Sequence, residues 1–94
     1  MRRNRFEKVD DVQDDAITLE LAPEGDAEMA RVHVPATVRP AGEEGDGMDV
    51  SEALGKKDAF RGAIRLANTL KAPVVVMGPD AAWDEAWGDL YTPV

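Results

Sequence analysis

His33 is the chain's one histidine, and there is no cysteine. A zinc site built on it would need carboxylates for every other protein ligand. As a general base, its imidazole would need a cleft and an orienting partner. Between Val32 and Val34 it reads instead as a surface-strand side chain beside Glu20 or Arg31. Asp80 follows Gly78-Pro79 at the carboxyl end of an apolar run, where open α/β sheets gather ligands. Directly before Ala81-Ala82-Trp83 it fits the role of a helix N-cap better. Asp80 and His33 therefore carry an alternative reading, a small-ligand regulatory site near Gly78–Asp80 that would also use the loop at 42–49. Within that loop, Glu43-Glu44-Gly45-Asp46-Gly47-Met48-Asp49 has cation-binding residue types. No register sets acids at the first, third and fifth positions ahead of the glycine, as a calcium loop requires. None of the Ser and Thr hydroxyls lies in a nucleophile elbow, and no glycine-rich phosphate loop follows a strand. No catalytic, cofactor or metal set is assigned, and the chain is read as non-enzymatic.

Residue types suited to contact are more concentrated. Of five aromatics, Trp83, Trp87 and Tyr91 fall in the last twelve residues. Trp and Tyr are favoured anchors of protein interfaces because they bury much area and keep a polar handle. The two tryptophans are four apart, on one side of a helix, so the segment either folds back as a lid or faces a partner. Lys57, Arg61, Arg65, Asn68 and Lys71 form a second surface, a basic stripe opposite Ala63 and Leu70. It suits an acidic partner or the acidic residues Asp80, Asp84, Glu85 and Asp89, within the chain or across a dimer. Candidate partner-binding residues are thus Trp83, Trp87, Tyr91, Arg61 and Arg65, and the partner is another protein or a second copy. A small domain with a thin core gains from burying further surface in an oligomer.

Composition narrows the classes. The chain has 94 residues, 11 Lys+Arg and 19 Asp+Glu, for a net charge of −8. Residues 9–30 contain eight acids and no Lys or Arg. Acidic segments flank both the N-terminal cluster Arg2, Arg3, Arg5 and Lys8 and the helix stripe, which argues against nucleic acid. No apolar run approaches the ~20 residues of a membrane-spanning helix. Arg2-Arg3-Asn4-Arg5-Phe6 has the look of a twin-arginine signal, but Glu7, Lys8, Asp10 and Asp11 follow where an apolar stretch is needed. A cytoplasmic location is expected.

The elements that must position these residues follow from periodicity. Residues 1–15 read as a tail or a marginal helix, and 16–94 as a single α+β domain. Ile17–Leu21 and Ala30–Val34 alternate apolar and polar, as half-buried strands do. A hairpin closing at Leu21 opposite Glu28 sets Leu19 opposite Ala30 and Ile17 opposite Val32, all on one face. Residues 39–50 read as a flexible loop, and Asp49 and Glu52 have capping-box spacing for a helical start. The main helix is expected from Asp58, with Phe60, Ala63, Ile64, Ala67 and Leu70 on its apolar face and Pro73 beyond its end. Val74–Met77 is a buried strand, apolar on both faces. A short helix over 81–87 closes the fold. The expected architecture is a two-layer ββαβα domain: a three-stranded mixed sheet under one amphipathic helix.

Overall fold

The computed structural model describes residues 5–35 and 49–92. In chain order these form β1 (Arg5–Lys8), β2 (Ile17–Leu21), β3 (Met29–Val34), β4 (Asp49–Val50), β5 (Leu54–Gly55), α1 (Lys56–Leu70), β6 (Val74–Met77) and β7 (Asp89–Tyr91). The class is α+β, with one main helix on a mixed sheet. The sheet is wider than the three strands expected: its order is β4-β3-β2-β6-β1-β7, and β5 pairs with β3 on the same side as β4. Only β3 runs against the rest. The additional strands are two to four residues long. Segments so short show no alternation, and pairing with longer neighbours is what makes them strands. Arg5–Lys8, read as part of a tail or marginal helix, is therefore an interior strand between β6 and β7.

The β2–β3 hairpin keeps the expected faces but not the expected register. Leu19 pairs with Val32 and Leu21 with Ala30, a slip of two residues from the sequence reading. A two-residue slip leaves every side chain on its own face, because side chains alternate with period two. The cause is a tighter turn. The ladder continues past Leu21, with Ala22 N–H donating to Met29 O (2.9 Å) and Glu24 and Ala27 exchanging bonds of 3.0 and 2.9 Å. It closes on Gly25-Asp26, where Gly25 takes φ +58°, the glycine-first pattern of two-residue hairpins.

Helix α1 begins at Lys56, two residues before the expected start, and Gly55 caps it without a side-chain bond. Lys71 turns left-handed at the far end, its N–H bonded to Ala67 O. The capping-box reading of Asp49 and Glu52 is replaced by strand pairing. Ser51 N–H donates to Val32 O and its hydroxyl accepts from Val32 N–H, both at 2.9 Å. The small residues Ala59 and Ala63 let the helix lie close to the sheet, and both are buried. Beneath it pack Ile17, Leu19, Leu21, Ala30, Val32, Val34 and Val76, flanked by Phe60, Ile64, Ala67 and Leu70.

The opposite face is covered by the chain itself. β1 and β2 run parallel on either side of β6, so residues 9–16 must return along the sheet. Val9 N–H bonds Val76 O (2.8 Å) where they leave, and Ile17 N–H bonds Pro73 O (2.9 Å) where they rejoin. Midway, Gln13 N–H donates to Thr18 Oγ1 (3.1 Å). Thr18 points away from α1, since its neighbours Ile17 and Leu19 point toward it. Thr18 is fully buried, as is most of Val75, its register partner. Of the two faces of β6, Val74 and Val76 turn toward α1 and Val75 turns to the side of Thr18 and the crossover.

Candidate contact surface

Beyond the end of β6 the backbone passes through Gly78 at φ +125° and continues through two single 3₁₀ turns, Asp80–Ala82 and Glu85–Trp87. The continuous short helix expected over 81–87 is broken between them. Asp84 caps the second turn, its carboxylate accepting from Ala86 N–H at 2.9 Å. Gly88 ends the second turn at φ +138°, and the chain becomes β7.

These turns direct both tryptophans inward, onto the face that α1 occupies. Trp87 stacks on Phe60 with centroids 4.2 Å apart and planes 1° from parallel. Trp83 meets Phe6 edge-on at 5.4 Å and Trp87 at 5.1 Å, and Phe6 meets Phe60 at 5.7 Å. Edge-to-face and stacked pairs of this kind add about 0.5–1.5 kcal/mol each beyond burial. The Trp83 indole N–H donates to Gly88 O (3.1 Å), so its one polar atom is satisfied. Trp83 and Trp87 are half-buried, joining α1 to β1 through Phe6 and Phe60. Lys56 Nζ sits 5.8 Å from the Trp87 ring and 3.1 Å from Glu28 Oε1.

Tyr91 does not join them. Leu90 packs against the core, so by alternation Tyr91 projects from the opposite face, 37% exposed. The Arg5 guanidinium lies over its ring, 4.5 Å from the centroid, because Arg5 and Tyr91 flank the same β1–β7 ladder. β7 is the last strand in the order, and its outer edge meets no further strand among the described residues. Arg5, Phe6 and Lys56 are contact residues that the sequence reading did not single out. The lone Phe6 among charges was the available signal.

The other candidates lie apart. Arg61 and Arg65 are exposed on α1 together with Lys57, Asn68 and Lys71. His33 Nε2 is 2.8 Å from Glu20 Oε1, on the face away from α1, as its strand position beside Glu20 suggested. The Asp80 backbone lies in a turn beyond β6 whose Ala82 packs against the core. The Asp80 side chain and the acidic loop through Met48 lie outside the described residues. Beside the turn is a depression of about 330 Å³ lined by Pro23, Met29, Lys56, Pro79 and Ala82, without His33. No helix among the described residues is long and apolar enough to cross a membrane. No family model, curated protein or solved structure matches the chain.

Proposed function

We propose that the protein is a non-enzymatic contact module that self-associates through the exposed side of its C-terminal segment. The observation that carries this reading is Tyr91, an exposed aromatic stacked under Arg5 on the outermost strand of the sheet. An open strand edge presents unpaired backbone donors and acceptors to another chain, and strand addition at such an edge is a recurrent mode of recognition. Tyr91 and Arg5 supply an aromatic anchor and a charged donor at that edge, the residue types that dominate interface energies. Trp83 and Trp87 serve this surface from behind, by fixing β1 and the segment leading into β7.

The small-ligand alternative is supported by the depression next to Pro79 and Ala82. Its one cation among the described residues, Lys56, is already engaged by Glu28, which makes it the weaker reading. Light scattering coupled to size-exclusion chromatography, in about 0.5 M salt to suppress charge-driven contacts, tests the edge. The wild-type protein is expected at twice the monomer mass and Tyr91→Asp at the monomer mass with unchanged circular dichroism. Equal masses for the two proteins would refute the assignment.

A further inference from the structure

Backbone alternation decides which groups β7 leaves open. Val9 N–H donates to Val76 O, so Val9 and Glu7 turn their backbone groups toward β6. Phe6, next to Glu7, turns its own toward β7. Phe6 stands opposite Leu90 in a parallel ladder, where a residue facing its neighbour is held by the two residues flanking its partner. Asp89 and Tyr91 therefore bond β1, and the Leu90 N–H and C=O point out of the edge. Leu90 makes no other backbone bond among the described residues. Beside it, on α1's side, lies a depression of about 710 Å³ lined by Lys8, Trp83, Glu85, Leu90 and Thr92.

We infer that two copies join by antiparallel pairing of β7 with β7 about a two-fold axis at Leu90, which deepens the self-association proposed above and rests on it. The Leu90 residues of the two copies exchange both N–H···O=C bonds, as a hydrogen-bonded pair with Cα atoms about 5.5 Å apart. The contact is isologous and closes at a dimer. Asp89 then lies opposite Tyr91 of the second copy, in a non-hydrogen-bonded pair with Cα atoms about 4.5 Å apart. The two Tyr91 rings become diagonal neighbours within reach of each other, each beneath its own Arg5. On the other face each Leu90 side chain, already packed against the core, meets its counterpart in the space beside the edge. The register also explains why Tyr91→Asp separates the copies: it sets like charges directly opposite each other. A symmetric parallel pair is excluded by the same alternation. In a parallel ladder a residue that faces its neighbour stands opposite one that faces away, as Phe6 does opposite Leu90, so two outward-facing Leu90 residues cannot stand opposite each other.

The chain has no cysteine, so introduced thiols report the register directly. Asp89→Cys and Tyr91→Cys proteins are mixed in equal amounts in about 0.5 M salt, oxidised, and the cross-linked products resolved by mass. Each mixed pair keeps one Tyr91. The disulfide joining the two variants is expected to exceed either like-with-like product at least about tenfold, because only directly opposed positions fall well within the Cα separation a disulfide spans. A statistical mixture of the three products, or no cross-link, overturns the antiparallel register. The wild-type mass separates the two failures. A doubled mass that Tyr91→Asp abolishes, without the mixed disulfide, leaves β7 as the contact and overturns the two-fold pairing alone. A monomeric wild type removes both readings. A mass that grows past a dimer with protein concentration shows β7 meeting a different edge, such as β4, and overturns the inference.

Discussion

Replacing Gly78 with alanine is expected to destabilise the protein by about 3 kcal/mol or more, from two causes acting together. Gly78 has φ +125°, a backbone region that side-chain-bearing residues enter at a cost of roughly 1–3 kcal/mol. An added Cβ would also stand 2.5 Å from Leu21 O and 2.9 Å from Leu21 Cβ. Leu21 cannot yield cheaply, because it is buried and held in the β2–β3 ladder. Such overpacking costs a further ~1–3 kcal/mol. Urea unfolding followed by tryptophan fluorescence measures the sum. Gly25→Ala is the natural comparison, since its positive φ comes with open space around the new methyl. A loss at Gly78 no greater than at Gly25 would show that the close approach to Leu21 is not as described.

The second large effect is expected at Phe6. The residue is 7% exposed and its ring meets both Phe60 and Trp83. Phe6→Ala should cost about 3–5 kcal/mol, the range for truncating a buried aromatic, while Phe6→Leu should cost under about 1.5 kcal/mol. Against a typical total stability of about 5–15 kcal/mol, the alanine variant is expected near the edge of folding. Thermal melts of the two variants decide the matter. Indistinguishable midpoints for Phe6→Ala and wild type would mean that β1 is not part of the core.

These two positions also show where the amino-acid order was legible and where it was not. The hairpin faces, α1 and β6 were all visible as periodicity, since each is long enough, or apolar enough, for its burial to mark the sequence. Phe6 is a single apolar residue in a four-residue strand among charges, so no pattern distinguishes it. Its role comes from pairing with β6 and β7, residues some seventy to eighty positions away in the chain. The same holds for β4 and β5. The hairpin register missed by two because either register buries the same residues, and only the turn chemistry of Gly25-Asp26 separates them. The doubly apolar β6 called for a cover on each face, and the tryptophan segment expected as a lid packs on α1's side instead. The course of the acidic crossover could not be read, because hydrogen bonds such as that from Gln13 to Thr18, rather than an apolar stripe, mark it.

The contact residues divide in the same way. Trp83 and Trp87 drew attention as interface anchors by residue type, and the fold spends them on Phe6 and Phe60. Tyr91, one strand later, is the aromatic that alternation sends outward. Its stacking on Arg5 depends on a ladder between chain ends that no local spacing reveals.

The proposed self-association pairs the β7 edge with a second copy. Hydrogen–deuterium exchange measured across a hundredfold range of protein concentration, in about 0.5 M salt, reads that pairing at the amides involved. Amides of Asp89–Tyr91 are expected to exchange several-fold more slowly at the high end, while those of α1 stay unchanged. Protection at Asp89–Tyr91 that is independent of concentration, or slowing confined to another part of the sheet, would contradict it.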